Sequence, residues 1–222
     1  DRMHMSEITI CYGMTETAPV SAQSSTSDSV EQRVGTVGRV HPHLEIKIVD
    51  EQGKVVPRGQ LGELCVRGYS VMLGYWEDHE KSGEVIDSAR WMHTGDIAEM
   101  DEAGFVKIKG RIKDVVIRGG ENLFPKEIED FLYTHPDVSD VQVIGLPDAR
   151  YGEELCACII LHEHHEITEE SIRQYCAEHI SHNKVPRYVR FFNEFPMTAS
   201  GKAQKFKLQE FMHNELDLKE IA

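Results

Sequence analysis

With 222 residues, 40% of them hydrophobic and 28% charged, the chain has the composition of one large globular domain or two modest ones. It contains no run of about 18 apolar residues, so no membrane-spanning helix is expected. Acidic residues number 38 against 24 basic ones, a formal charge of −14, which disfavours a nucleic-acid surface because such surfaces need clustered Lys and Arg to displace counterions.

The chain opens on Asp1-Arg2-Met3-His4, with neither an initiator methionine nor a signal-peptide pattern, and reads as a cut inside a longer protein whose targeting segment would be out of view. Weak alternation from Ser6 to Cys11 runs into Tyr12-Gly13-Met14-Thr15-Glu16-Thr17, and the polar stretch Ser21–Ser29 is expected to be an exposed loop. Short strands follow. Leu44, Ile46 and Ile48 alternate with Glu45 and Lys47 before a turn at Asp50-Glu51-Gln52-Gly53; Gly62 to Arg67 forms another strand; and Phe105 to Lys109 forms a third after a turn at Asp101–Gly104. Such glycine-punctuated strands point to a small β-barrel or distorted sheet.

The texture changes after Gly110. Pro125 suits a first helical position, with Glu127 and Glu129 near the positive end of the helix dipole, and His135-Pro136 ends that helix. Strands are expected at Val138–Ile144 and Leu155–Leu161. A helix capped by Thr168 and stapled by Ile167 and Ile172 comes next, with its apolar stripe continuing through Tyr175, Cys176, His179 and Ile180. A strand at Tyr188–Phe192, a loop holding Ser200-Gly201-Lys202 and a final helix complete the chain. The fold class is therefore α+β, with a β-rich region over residues 1–111 and a compact α+β domain over residues 112–222.

Four segments carry groups suited to chemistry. Glu16 offers a carboxylate to Mg²⁺, a hard cation, and Thr15 a hydroxyl to a phosphate; a strand ending in a turn explains the segment equally well. In Thr94-Gly95-Asp96 followed by Gly110-Arg111, a carboxylate can accept from vicinal ribose hydroxyls and a guanidinium can fork onto oxygens, although either residue alone reads as surface. Arg118-Gly119-Gly120-Glu121 permits close backbone approach, but in isolation a plain hairpin turn is the better reading. Thr198-Ala199-Ser200-Gly201-Lys202 sets one lysine on a small-residue turn; it is not a P-loop, because Met197 stands at the first glycine position and Ala203 follows the lysine. His162-Glu163-His164-His165 reads as a solvated loop. The five cysteines (Cys11, Cys65, Cys156, Cys158, Cys176) form no Cys-x-x-Cys pair and read as reduced thiols, with Cys156 and Cys158 as small apolar fillers. Reduced thiols suit the cytoplasm or, in a eukaryotic source, the mitochondrial matrix.

Taken in order, Tyr12-Gly13-Met14-Thr15-Glu16, Gly62-Glu63-Leu64, Gly74-Tyr75-Trp76, Trp91-Met92-His93-Thr94-Gly95-Asp96, Gly110-Arg111-Ile112-Lys113-Asp114, Gly119-Gly120-Glu121-Asn122 and Thr198-Ala199-Ser200-Gly201-Lys202 resemble the adenylate-forming (AMP-binding) superfamily. Arg67-Gly68-Tyr69-Ser70-Val71-Met72-Leu73-Gly74-Tyr75-Trp76 and Gly201-Lys202-Ala203-Gln204-Lys205-Phe206-Lys207 look most like its medium-chain fatty acyl-CoA ligases. The resemblance implies that residues 1–111 end a large adenylating domain and that residues 112–222 form a mobile lid. It implies a reaction in which a carboxylic acid, such as a medium-chain fatty acid, and ATP give acyl-AMP, from which coenzyme A displaces AMP. Tyr12 and Gly13 would line the adenine and acyl-adenylate site, Thr15 would touch phosphate, and Glu16 would bind Mg²⁺. Asp96 and Arg111 would hold the ribose, and Lys113 would be the hinge. Gly119 and Gly120 would line the CoA path, and Lys202 would be the catalytic lysine of adenylation. The family's phosphate loop and most of its acyl pocket lie upstream of Asp1, so this stretch alone is expected to be inactive. The rival readings are an adenylation domain that loads a carrier protein and a non-enzymatic module that keeps only the fold.

Overall fold

The computed structural model describes residues 4, 5, 7–165, 167–199 and 201–216. The chain divides into two compact units, Asp1–Ile112 and Lys113–Ala222.

The first unit is β-rich. Strands β1 (Cys11–Tyr12), β2 (Ala22–Gln23) and β3 (Arg39–Val40) make a small antiparallel sheet in that order. Helix α1 (Val30–Gly35) lies between β2 and β3; Ser29 caps it by accepting from the Gln32 N–H at 3.2 Å. The polar run around Ser21 is not the exposed loop its composition suggests. Ser21, Ala22 and Ser24 are buried, because β2 pairs on both sides and the Ser24 hydroxyl accepts from the Ile10 N–H at 2.9 Å. The Ser24 hydroxyl fits its position because the Ile10 N–H and carbonyl satisfy it.

The main sheet of this unit has β4 (Leu44–Val49), β5 (Gly62–Gly68), β6 (Met92–Met100) and β7 (Val106–Arg111) in sequence order, all antiparallel. The turn after β4 closes with the Gly53 N–H donating to the Asp50 carbonyl at 2.9 Å, and the turn after β6 repeats this between Gly104 and Asp101 at 3.0 Å. Helix α2 (His79–Val85), capped by Asp78, precedes β6. Ile48, Leu64, Ala98, Met100 and Val106 form one buried cluster, and Val66, Val71, Ile86 and Met92 form a second. Register breaks between Glu63 and Cys65 and between Ile97 and Ala98 distort the sheet where Asp96 sits.

The second unit opens with a hairpin of β8 (Val116–Arg118) and β9 (Glu121–Leu123). Gly119 and Gly120 are its two turn residues, with φ of 60° and 86°, so the turn demands left-handed backbone at both positions. Helix α3 (Pro125–Leu132) starts on Pro125 at its first turn. Strands β10 (Val138–Asp148) and β11 (Gly152–Leu161) run longer than their apolar cores suggest and form one long hairpin. Helix α4 (Glu169–His179) is capped by Thr168, which accepts from the Ser171 N–H at 3.1 Å. Strand β12 (Tyr188–Phe191) lies parallel to β11, and helix α5 (Lys205–Glu215) ends the unit.

The five-stranded sheet is covered on both faces. Ile128 and Leu132 of α3 and Ile172 and Cys176 of α4 pack on Val141, Val143, Leu155, Ala157 and Ile159, whereas Leu208 and Met212 of α5 pack on Ile144, Leu146, Cys156 and Cys158. The two cysteines of β11 therefore fill one apolar face, as their alternation suggests. Ile167 packs in the same cluster as Ile172, and Tyr175 stacks on Phe131 with ring centroids 5.0 Å apart. Burying apolar surface on both faces is the main stabilising term for a domain of this size. Among the described residues no helix is long and apolar enough to cross a membrane.

Candidate active site

Strand β6 alternates buried and half-buried residues, and its buried row reads Met92, Thr94, Asp96, Ala98, Met100. A carboxylate therefore occupies a row that Met92, Ala98 and Met100 fill with apolar side chains. Asp96 is only 7% exposed, and a charge so placed needs partners. The Tyr12 hydroxyl donates to Asp96 Oδ2 at 2.6 Å, and Arg111 Nε lies 3.2 Å from Oδ1. Asp96 and Arg111 are direct cross-strand partners, and Tyr12 reaches them from β1 across 84 residues of sequence. Burial and the hydrogen bond to Asp96 push the Tyr12 phenol above its ordinary range, so it stays a donor at working pH.

An ionised carboxylate offers about four lone-pair sites. Tyr12 and Arg111 take one on each oxygen, leaving two without a partner among the described residues. The terminal nitrogens of Arg111 have no partner among the described residues, and its side chain is half exposed. The cluster is thus a carboxylate fixed from below, with a guanidinium fork presented beside it.

The local backbone is locked around it. Thr94 Oγ1 donates to the Leu64 carbonyl at 2.7 Å and accepts from the Asp96 N–H at 3.1 Å. The Gly95 N–H donates to Glu63 Oε1 at 3.0 Å, and Gly95 takes φ of 71°, a value that disfavours other residues. Glu63 Oε2 lies 2.7 Å from His93 Nδ1. Glu63 therefore clamps the turn that aims Asp96. Its motif Gly62-Glu63-Leu64 is visible in the sequence, but its partners lie about thirty residues away, so no local pattern reveals the clamp.

The segment after Tyr12 is equally constrained. A Cβ on Gly13 would meet the Pro19 carbonyl oxygen at 1.6 Å, so only glycine fits. Thr15–Thr17 form a single 3₁₀ turn in which Thr15 is exposed and Thr17 buried. Glu16 accepts from the Tyr75 hydroxyl at 3.0 Å on Oε1, and its backbone carbonyl accepts from the Met72 N–H at 2.9 Å. Burial and the Glu16 hydrogen bond raise the Tyr75 phenol. Glu16 Oε2 has no partner among the described residues. One oriented carboxylate with a free hard oxygen beside an exposed hydroxyl fits a divalent cation that also holds phosphate. Tyr75 is a further site residue whose role the sequence did not show; its signal was the Gly74-Tyr75-Trp76 motif.

The remaining candidates belong to the second unit. Lys113 is exposed, lies in a 3₁₀ turn at Ile112–Asp114 and is that unit's first residue. Gly119 and Gly120 are exposed at the β8–β9 turn, where the Gly119 N–H donates to the Tyr151 carbonyl at 2.8 Å. The strand beside them is rigidly held. Arg118 Nε pairs with buried Glu154 at 2.8 Å, and its guanidinium lies 4.6 Å from the Tyr151 ring centroid.

Lys202 sits on a tight loop closed by backbone and Thr198 hydrogen bonds. Thr198 N–H donates to the Lys202 carbonyl at 2.8 Å, Gly201 N–H to the Thr198 carbonyl at 3.0 Å, and Lys202 N–H to Thr198 Oγ1 at 3.0 Å. Ser200 lies outside the described residues. The Lys202 ammonium is exposed and has no partner among the described residues. Three residues on, Lys205 is the opposite case: its Nζ donates to Glu129 at 2.6 Å and to the Val143 carbonyl at 3.1 Å, pinning α5 to α3 and β10. The His162–His165 tract is an exposed turn.

The model of the family described as AMP-binding enzyme matches residues 1–76, and that of the AMP-binding enzyme C-terminal domain matches residues 127–202; together they cover more than half of the chain. The mitochondrial medium-chain acyl-CoA ligase ACSF2 of Bos taurus is 52% identical over 98% of this chain, which spans 36% of that protein. A putative acyl-CoA synthetase, YngI, of Bacillus subtilis is 51% identical over 95% of the chain and 38% of its own length. Among solved structures, ATP-bound MatB from Rhodopseudomonas palustris matches with a TM-score of 0.86 and 34% identity, over 94% of this chain and 41% of MatB. The chain thus spans little more than a third of the length of the curated relatives it matches.

Proposed function

The chain belongs to the AMP-binding enzyme family, and from that premise we propose that it works as part of an ATP-dependent fatty acyl-CoA ligase. The observation that carries this reading is the buried Asp96 carboxylate, held by Tyr12 and Arg111 with two lone-pair sites left for a ribose diol. The names of the relatives, acyl-CoA ligase and acyl-CoA synthetase, support a fatty acid and CoA as the other substrates.

In the first half-reaction a fatty-acid carboxylate attacks the α-phosphorus of ATP, forming acyl-AMP and releasing pyrophosphate. Asp96 holds the ribose, Arg111 reaches ribose or phosphate oxygens, Tyr12 and Gly13 line the adenine and acyl-adenylate site, and Thr15 donates to phosphate. Glu16 would hold Mg²⁺, which would neutralise phosphate charge. Both reactants are anionic, so a compact cation between them stabilises the pentacovalent transition state, and Lys202 supplies it. Exposed on its loop, its ammonium can enter and leave without breaking a hydrogen bond to any of the described residues.

In the second half-reaction residues 112–222 turn about Lys113 as a lid. Lys202 withdraws, and the Gly119-Gly120 turn lines the path of the CoA arm. The thiol sulfur attacks the acyl carbonyl, the thiol proton is lost to solvent or base, and AMP leaves with the electrons of the broken C–O bond. The Bos taurus relative, named as mitochondrial, and the buried free thiols fit work in the mitochondrial matrix or the cytoplasm.

The test is AMP release by the full-length enzyme across straight-chain acids of graded length, with free CoA as acceptor. Turnover peaking at medium length and dependent on free CoA is expected. AMP release unaffected by CoA, with acyl transfer only to a carrier protein, would overturn the ligase reading.

A further inference from the structure

Glu63 and Cys65 lie two residues apart on β5 and so share one face of the sheet, the face opposite Leu64 and Val66. His93 on β6 is the direct cross-strand partner of Cys65. One oxygen, one sulfur and one imidazole nitrogen from these three side chains all lie within 4.8 Å of one another. The proposed reaction uses none of them as a reacting group. We propose that Glu63, Cys65 and His93 form a binding site for a borderline-soft divalent cation such as Zn²⁺, separate from the hard-cation position at Glu16.

The distances fit that ion. Tetrahedral Zn²⁺ with bonds of about 2.3 Å to sulfur and about 2.05 Å to nitrogen sets those two ligands about 3.6 Å apart. Cys65 Sγ and His93 Nδ1 are 3.6 Å apart. Glu63 Oε2 is nearer, at 2.7 Å from Nδ1, and must open by roughly 0.6 Å to reach tetrahedral spacing. A half-buried glutamate can make that adjustment.

A carboxylate also lies near the other ring nitrogen, though beyond hydrogen-bond distance. A metal-bound histidine typically turns its other ring nitrogen to a carboxylate. Asp87 Oδ2 lies 4.0 Å from His93 Nε2, and Asp87 is itself held by the Ala89 and Trp91 N–H groups at 2.9 and 2.8 Å. His93 is 29% exposed at its side chain, which leaves solvent a route to a fourth position. The donor set of sulfur, nitrogen and one oxygen disfavours Mg²⁺ and favours Zn²⁺ or Co²⁺. Burial, with the Glu63 charge beside it, pushes the Cys65 thiol up to about 12, so binding must displace a proton. Lys47, the other cross-strand neighbour of Cys65, sets an opposing cation near the thiol, and its ammonium is engaged over the Trp91 ring at 4.5 Å.

Glu63 Oε1 also holds the Gly95 N–H of the Asp96 turn, so one carboxylate is shared between the metal and the turn. That coupling rests on the nucleotide reading, whereas metal binding does not.

The test is titration of the full-length protein with Co²⁺ in excess Mg²⁺, read by absorption, followed by displacement with Zn²⁺. One Co²⁺ per chain with a thiolate-to-cobalt charge-transfer band, lost on adding Zn²⁺, is expected. Cys65→Ser should abolish the band, His93→Gln should weaken binding by at least about tenfold, and Cys11→Ser, which removes the exposed thiol, should change nothing. No thiolate band in the folded wild-type protein, full affinity in His93→Gln, or a band that survives Cys65→Ser or disappears in Cys11→Ser would each overturn the site.

Discussion

The two units solve opposite problems with the groups they offer to chemistry. In the first, Asp96 is buried and committed: β6 and β7 register it against Arg111, β1 brings Tyr12 to it, and Thr94 and Glu63 lock the turn around it. In the second, Lys202 is exposed, its ammonium has no partner among the described residues, and its loop is held by backbone hydrogen bonds and by Thr198. A group that must hold a ligand through a whole cycle gains from being preorganised, because it pays no ordering cost at each turnover. A group needed in one step only must be free to leave. The contrast between Lys202 and Lys205, three residues apart, makes the same point inside one unit: the first has no partner among the described residues, the second is bonded to Glu129 and Val143.

Changes at each position should separate the fixed from the mobile. Lys202→Ala in the full-length enzyme is expected to cut acyl-AMP formation by about 10²–10³-fold while leaving thioester formation from supplied acyl-AMP nearly intact. Separate assays of the two half-reactions check this, and equal losses in both would break the comparison. At the glycine turn bulk and strain can be told apart. An added Cβ at Gly120 meets nothing within 4 Å, but φ is 86°, so Gly120→Ala should cost only about 1 kcal/mol of stability. Gly120→Trp should slow thioester formation roughly a hundredfold with adenylation spared, and unaffected CoA transfer would remove the turn from the CoA path.

Glu129→Ala tests the committed side of the second unit. It leaves Lys205 unpaired beside a buried backbone and should destabilise that unit by about 3 kcal/mol, seen as a lower denaturation midpoint, with no change in the ratio of the two half-reaction rates in the protein still folded. Tyr12→Phe should act on nucleotide binding with a smaller effect than Glu129→Ala has on stability. Asp96 keeps Arg111 and loses one charge-assisted bond worth about 1.5 kcal/mol, so the KM for ATP should rise about tenfold with kcat largely unchanged. A fall in kcat alone would instead make Tyr12 part of the chemistry.

Much of the second unit was legible in the sequence because its signals are local. Pro125 begins α3, Thr168 caps α4, and the apolar alternation of β10 and β11 marks a sheet covered on both faces. Gly119-Gly120 reads as a hairpin turn, and a hairpin turn is what forms. The first unit was less legible. Its shortest strands have two residues each, too few for any period to register, and the buried serines at positions 21 and 24 look like loop residues until β1 and β3 close on them. The candidate site divides in the same way. The motif order names Asp96, Arg111 and Lys202, but the Glu63 clamp and the Cys65–His93 pair arise from strand register, and the Tyr75 contact to Glu16 from tertiary packing, across 28 to 59 residues, which composition and spacing do not encode.

The central claim is that Lys202 reaches a nucleotide held by Asp96 and Arg111. An ATP analogue carrying a lysine-reactive acyl phosphate, incubated with the full-length enzyme and followed by peptide mass spectrometry, tests it directly. Acylation of Lys202 that excess ATP prevents and Asp96→Ala abolishes is the expected result. An unmodified Lys202 beside other labelled lysines, or equal labelling of Lys202 in Asp96→Ala, would contradict it.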